Sequence, residues 1–180
     1  MSKILAIANQ KGGVGKTTTA INLSSSLCLQ GRKVLLVDMD PQGNAGRGLG
    51  LDITSLKLTI YDALEGLASI NKCIYQTKTP GLSVLPSNIR LSQIEAFGVN
   101  SPKKNPFQIL KRIFNEIPKG SFDYIIIDCP PSLGFLCLNA LTASNAVIIP
   151  VQCEYFAMEA VAAILATIKT LSLLSYLFSK

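Results

Sequence analysis

A glycine-rich segment between a predicted strand and a predicted helix constrains this chain more than any other feature. The strand is the apolar run at residues 4–8, which is typical of a buried β-strand. After the segment, apolar residues recur at helical spacing, and we expect them to share one buried face: Ala20, Leu23 and Leu27, with Ile21 and Cys28 beside them. A loop that joins a strand to the start of a helix is where phosphate-binding loops occur.

The composition of this loop suits close contact with an anion. Its members are Lys11, Gly12, Gly13, Val14, Gly15, Lys16, Thr17 and Thr18. Glycine has no Cβ, so the backbone can wrap around a phosphate and point its N–H groups at it, with the positive end of the helix dipole behind. Lys16 would add positive charge for the β and γ phosphates, and the Thr17 hydroxyl is placed to ligate Mg²⁺. The alternative is a glycine-rich turn without a ligand, but the lysine–threonine pair and the flanking pattern favour the phosphate site.

Three aspartates stand at the ends of two further predicted strands. Asp38 and Asp40 follow an apolar run that begins at residue 33, and Asp128 closes the clearest strand pattern of the chain, residues 122–127. In open parallel sheets, ligands collect at the carboxyl ends of strands, so we expect Asp38 and Asp40 to face the phosphate loop. Carboxylates repel phosphate, and they suit Mg²⁺ ligation or the positioning of an attacking water. The alternative is that both aspartates have only a structural role: Asp38 would cap a turn, and Asp40 with Pro41 would only interrupt the regular backbone.

The remaining pattern alternates between strands and helices, which predicts an α/β fold with a mainly parallel, twisted sheet and helices on both faces. We expect a flexible glycine-rich segment at residues 46–50. The other predicted elements are helices at 60–67 (Thr59 as N-cap), 87–97 (apolar packing only), 106–117 (Asn105 as N-cap) and 139–143, and strands at 82–86 and 146–151.

Composition excludes several classes of function. The 180 residues contain no histidine, which excludes histidine-based acid–base chemistry and histidine metal ligands. Five scattered cysteines indicate reduced thiols in a cytoplasmic protein. We expect neither a signal peptide nor a transmembrane segment. A net charge of +6 is compatible with DNA or other anionic partners but does not by itself indicate DNA binding.

The two lysines of the loop suggest a family. The segment from Lys11 to Thr17 resembles the deviant Walker A motif of the ParA/MinD/NifH class of P-loop ATPases, and the segment from Asp38 to Asn44 closely resembles the switch I segment of ParA/Soj partition ATPases. The resemblance implies that Lys11 reaches the partner's phosphates in a nucleotide-sandwich dimer and that Asp40 orients the hydrolytic water. It also implies that Asp38 and Asp128 act on the hydration shell of Mg²⁺.

Two further segments are similar to the same family: residues 129–134 to its switch II loop and residues 152–157 to its segment at the dimer interface. The resemblance implies the P-loop NTPase fold, the cofactors ATP and Mg²⁺, a homodimer on ATP binding, a ParB-type partner protein and binding to non-specific DNA. It also implies a cytoplasmic protein, nucleoid-associated if DNA binding is retained. We expect slow intrinsic turnover, because no arginine finger is identifiable. The cargo, a chromosome, a plasmid or another body, stays open.

The C-terminal stretch departs from the family pattern. We expect residues 1–180 to form a single ATPase domain without the family's C-terminal third, with an atypical tail at 167–180. A helical stripe in this region would leave apolar surface exposed, with self-association or, alternatively, membrane-surface binding as the result. Its members are Val161, Ile164, Ile168, Leu171, Leu174 and Phe178. The alternative function is therefore a truncated, non-catalytic remnant that keeps the phosphate loop but lacks turnover and DNA binding.

Overall fold

A six-stranded sheet forms the centre of the molecule in the computed structural model, which describes residues 2–99, 105–153 and 157–177. The order of the strands across the sheet is β3-β4-β2-β5-β1-β6. All neighbours are parallel except β3, which runs antiparallel to β4 at one edge. The strands are β1 (Lys3–Ile7), β2 (Val34–Asp38), β3 (Tyr75–Gln76), β4 (Leu82–Leu85), β5 (Tyr124–Asp128) and β6 (Ala146–Ile148).

Helices cover both faces of this sheet, which confirms the predicted fold class. The first two helices pack on one face, and the other five pack on the opposite face. All five residues of β2 are buried, as a strand covered on both sides requires. The helices are α1 (Lys16–Leu29), α2 (Asn44–Gly48), α3 (Ile60–Glu65), α4 (Leu91–Phe97), α5 (Ile109–Phe114), α6 (Phe135–Ala143) and α7 (Ala157–Leu177).

The residues predicted to form the buried face of α1 all pack against the sheet. The most buried stripe runs at intervals of four, through Lys16, Ala20, Ser24 and Cys28, so it also includes two residues that were not predicted. The predicted Leu23 and Leu27 flank this stripe and are only partly buried. Small side chains therefore hold the closest approach of α1 to the sheet, and the leucines cover its sides.

The expectation of a flexible segment at residues 46–50 was wrong. Residues 44–48 form the short helix α2. Its first backbone N–H groups donate to the buried carboxylate of Asp38, from Ala45 at 3.0 Å and Gly46 at 3.3 Å. A contact with a distant strand end thus orders a segment whose own glycines disfavour helix.

Other elements agree with the sequence in kind but differ in extent. Thr59 caps α3 in a capping box, and Asn105 accepts the Phe107 N–H at 3.1 Å before a short 3₁₀ turn leads into α5. The helix predicted from residue 87 begins only at Leu91, and its predicted apolar members Ile89 and Phe97 are exposed.

In the C-terminal helix α7, part of the predicted apolar stripe packs against the sheet. Ile164 is fully buried, and Ile168 and Leu171 pack against the same core. Met158 and Leu165 are exposed. The side chain of Leu174, all of Phe178, residues 154–156 of the predicted interface segment and residues 100–104 of the predicted linker lie outside the described residues. Within the described ranges, no helix has both the length and the apolar character needed to cross a membrane.

Candidate functional site

The glycine-rich loop crosses from the end of β1 to the start of α1 at the carboxyl edge of the sheet. Gly13 and Gly15 adopt positive φ angles of 73° and 88°, a region that side chains with a Cβ rarely adopt. Gly15 is the N-cap of α1 and offers no side chain to its free N–H groups. The start of α1 therefore keeps backbone donors and the positive end of its dipole available to an anion.

Lys16 is the first residue of α1 and is only 7% exposed. Its Nζ donates to the carbonyl oxygen of Lys11 at 2.9 Å, so the side chain folds back across the loop. Burial lowers the pKa of Lys16, while the charges of Asp128 and Asp40 oppose that shift. The ammonium group thus lies among the carboxylates that the sequence predicted to share its site.

The other predicted residues of the loop differ in their exposure to solvent. Val14 is buried, Gly12 and Thr18 are exposed, and Thr17 is partly buried in the first turn of α1. The buried side chain of Val14 anchors the loop, and the exposed backbone around it leaves the outer surface open to a ligand.

Two residues to which the sequence analysis gave no role in the loop hold it in place. Asn9 is 3% exposed; its Oδ1 accepts the Lys11 N–H at 3.0 Å and its Nδ2 donates to the Pro150 carbonyl at 2.7 Å. Gln152 donates to the Gly13 carbonyl at 3.3 Å. The signal in the sequence was an amide side chain directly after a buried strand, where an apolar residue would be ordinary.

Asp38 ends β2 and is completely buried. Its Oδ1 accepts the Asp40 N–H at 3.1 Å, and its Oδ2 accepts the two N–H groups that begin α2. Burial raises the pKa of Asp38 to about 6, although these amide hydrogen bonds act in the opposite direction. The carboxylate therefore organises the turn that carries Asp40.

Asp40 is less buried than Asp38 and lies at the head of that turn. Its Oδ1 accepts the Gln42 N–H at 2.9 Å. Its backbone carbonyl accepts a hydrogen bond from the Ser87 hydroxyl, which comes from the segment before α4. Both the local turn and a distant segment thus fix the position of this aspartate.

Asp128 ends β5, in direct register with Asp38 on one side and Ile7 on the other. It is completely buried, and among the described residues neither of its carboxylate oxygens has a hydrogen-bond partner. Burial raises the pKa of Asp128 to about 7; the charge of Asp38 adds to the rise, and the nearby Thr17 hydroxyl and Lys16 ammonium oppose it. A buried carboxylate without donors is costly unless a cation or proton satisfies it.

This donor set fits Mg²⁺. The cation prefers hard oxygen ligands, keeps several of its waters and is commonly held by one or two carboxylates together with substrate phosphates. No group of three or more histidine, cysteine or acidic side chains that could hold a metal ion occurs in the part of the chain that the structure describes. Thr17 and Asp128 are the residues that would hold it, and Asp38, whose oxygens already accept amide N–H groups, would act from behind them.

Comparisons with known proteins agree with this geometry. A family described as an AAA domain matches residues 2–175. The sporulation initiation inhibitor protein Soj of Bacillus subtilis is 49% identical over 94% of the chain, and the chromosome-partitioning ATPase Soj of Treponema pallidum is 50% identical over 94%. The chain spans 66% and 64% of the lengths of these two relatives.

This chain is also similar in fold to solved structures. The cobyrinic acid a,c-diamide synthase of Mycobacterium smegmatis, crystallised with an ATP analogue and magnesium, has a TM-score of 0.88 and 43% identity. The match covers 94% of this chain and 68% of that one.

Proposed function

Because the chain belongs to the ParA/Soj family of P-loop ATPases, we propose that it binds ATP with Mg²⁺ and hydrolyses ATP slowly, as a nucleotide switch in DNA partitioning. The observation that carries the proposal is the carboxylate of Asp128. It is buried without a hydrogen-bond partner among the described residues, beside the phosphate loop and next to Lys16 and Thr17. Such a group is best explained by a cation that arrives with the nucleotide.

In this proposal the loop binds the phosphates through its backbone N–H groups. Lys16 leaves the Lys11 carbonyl that it now contacts and pairs with the β and γ phosphates. Bound Mg²⁺ would neutralise phosphate charge and orient the γ phosphate. Thr17 and Asp128 fix its position from the protein side, with Asp38 behind them.

Asp40 is proposed to orient the attacking water. It stands at the carboxyl edge of the sheet, less buried than Asp38, on a turn fixed by Asp38 and Ser87. A carboxylate held in this way can accept a hydrogen bond from water and direct its lone pair towards phosphorus. Turnover is expected to be slow because no arginine is identifiable as a finger that would stabilise the transition-state charge.

The assembly of the active form is also part of the proposal. Two subunits would close over two nucleotides, with Lys11 of each reaching the phosphates bound by the other. A ParB-type protein would stimulate hydrolysis, and the ATP-bound dimer would hold non-specific DNA in the cytoplasm. The support for this is the family membership together with the two-lysine loop.

The ATP and Mg²⁺ part of the proposal has the broadest support. This chain is similar to a protein named as a partitioning ATPase and to one named as a diamide synthase, and the second was crystallised with an ATP analogue and magnesium. DNA partitioning as the purpose of the switch is supported by the names of the Soj and ParA relatives.

The test measures ATP binding and hydrolysis by this chain beside Lys16→Ala and Asp40→Ala. We expect Mg²⁺-dependent ATP binding that Lys16→Ala abolishes, and turnover that Asp40→Ala removes while binding persists. Binding by the wild type without any turnover would refute the catalytic part and leave the non-catalytic nucleotide-binding protein. Absence of ATP binding would refute the proposal as a whole.

A further inference from the structure

The loop that follows Asp128 is held by a carboxylate from another part of the chain. Glu95, on α4, accepts the Ser132 hydroxyl at 2.9 Å through Oε1 and the Leu136 N–H at 2.8 Å through Oε2. These two donors lie on either side of Gly134, the N-cap of α6, which has no side chain to cap the helix itself. Glu95 therefore supplies the missing cap from 41 residues away, where its negative charge also meets the positive end of the helix dipole.

Gly134 leaves room for the Glu95 carboxylate because it has no side chain. Its φ of −82° is open to any residue, so backbone conformation does not require glycine there. A Cβ at this position would instead overlap the Glu95 carboxylate, reaching 2.8 Å from its Cδ. A side chain at residue 134 would therefore displace the Glu95 carboxylate from its position against the loop.

The segment that carries Glu95 also touches the loop of Asp40. At its start, the Ser87 hydroxyl donates to the Asp40 carbonyl. Residues 87–97 are in turn tied to α3: Arg90 pairs with Asp62 at 3.1 Å, and the Tyr61 hydroxyl donates to Gln93 at 3.2 Å. One braced segment therefore contacts both loops that border the proposed γ-phosphate position.

We propose that Glu95 is a positioning residue for hydrolysis. It acts as a clamp that holds the loop after Asp128 in a fixed position relative to the loop of Asp40. This inference rests on the proposed ATPase function. Nucleotide affinity comes from the phosphate loop, which Glu95 does not contact, whereas hydrolysis needs both flanking loops in fixed positions. Loss of the clamp should therefore lower the turnover number and leave ATP affinity nearly unchanged.

The experiment compares Glu95→Ala, Glu95→Gln and a matched control. Glutamine can still accept the Leu136 N–H and donate to the Ser132 oxygen, so it should restore much of the lost turnover. Asn145→Ala is the control, because Asn145 also accepts a backbone N–H from a distant segment, that of Ile4 at 2.8 Å, but does so at the amino edge of the sheet, away from both loops. ATP affinity, turnover number and melting temperature are measured for each variant.

We expect Glu95→Ala to lose at least tenfold in turnover number with an ATP Kd within about threefold of wild type. Exchange of the Leu136 amide hydrogen should also rise about tenfold without nucleotide. Asn145→Ala should keep its turnover number within threefold at a comparable loss of melting temperature.

The clamp is overturned if wild-type turnover is present and Glu95→Ala either keeps it or loses no more of it than Asn145→Ala. It is also overturned if glutamine restores nothing. A wild type that neither binds nor hydrolyses ATP refutes the proposed function itself, which is a different result.

Discussion

Replacing Asp128 with asparagine should stabilise the ligand-free protein while weakening its response to ATP and Mg²⁺. The carboxylate is buried without a partner among the described residues, and its pKa is raised from 3.8 to about 7. Three pKa units at about 1.4 kcal/mol each amount to about 4 kcal/mol of unfavourable free energy in the charged folded state. The amide of asparagine also needs partners, at roughly 1–3 kcal/mol, so we expect a net gain of about 2 kcal/mol.

The assay is urea unfolding at pH 8 in the presence of EDTA and without nucleotide. A gain of about 2 kcal/mol should appear as a higher urea midpoint with an unchanged slope, and as a rise in Tm of roughly 4–8 °C. Asp123→Asn is the control, because Asp123 is exposed just before the same strand and the asparagine oxygen can still accept the Lys33 N–H that Asp123 accepts at 2.8 Å, so it should change the stability by less than about 0.5 kcal/mol. With ATP and Mg²⁺ added, the wild type should gain stability and Asp128→Asn should gain much less.

The pH dependence of the free energy of unfolding tests independently whether the buried charge of Asp128 destabilises the protein. The folded-state pKa of Asp128 lies above its unfolded value, so folded wild type takes up a proton as the pH falls through about 7. The cost of the buried charge is complete above pH 7 and disappears towards pH 4. The stability advantage of Asp128→Asn should therefore shrink steadily between pH 8 and pH 5. A variant that is less stable than wild type at pH 8 in EDTA would refute the reasoning.

Three further predictions concern the loop and the last helix. Gly15→Ala, at φ 88°, should lower the free energy of unfolding in urea by about 1–2 kcal/mol. Gly12→Ala, at a residue with no positive φ and with open space around it, should lower it by less than about 0.5 kcal/mol. Equal losses of stability would contradict the loop conformation. Asn9→Ala removes two hydrogen bonds that hold the loop, so it should lower the unfolding free energy by about 1–2 kcal/mol and weaken ATP binding in calorimetry, and an unchanged Kd would count against its role. Ile164→Ala should destabilise by about 2–5 kcal/mol and exposed Leu165→Ala by less than about 0.5 kcal/mol in the same unfolding assay, and similar values would show that α7 does not pack as described.

The candidate site was predictable because its signals are local. A lysine–threonine pair after glycines, and aspartates directly after apolar runs, each fix a position relative to a strand end. Once the sheet is parallel, those ends must meet at one edge. The structure accordingly pairs Asp38 with Asp128 and brings Lys16 among them.

The features that escaped prediction depend on contacts between distant segments. Helix α2 forms where glycines suggested flexibility, because a carboxylate from β2 satisfies its first N–H groups. The helix at 87–97 was assigned apolar packing alone, since nothing in its own sequence shows that Glu95 meets a loop 41 residues later. Periodicity placed the apolar residues of α1 on its buried face, but it did not show that the polar residue Ser24 lies at the closest approach of the helix to the sheet.

The position of β1 in the sheet has a consequence for biosynthesis. Its described partners are β5 and β6, and the loop that follows it is fastened through Asn9 to Pro150, 141 residues further along the chain. At translation rates of about 5–20 residues per second, the first strand emerges roughly ten seconds before its partners exist. Until then its apolar residues have no sheet to join, and the phosphate loop has no fixed shape. We therefore expect nucleotide to bind only after nearly all of the described chain has been synthesised, too late to assist the early steps of folding.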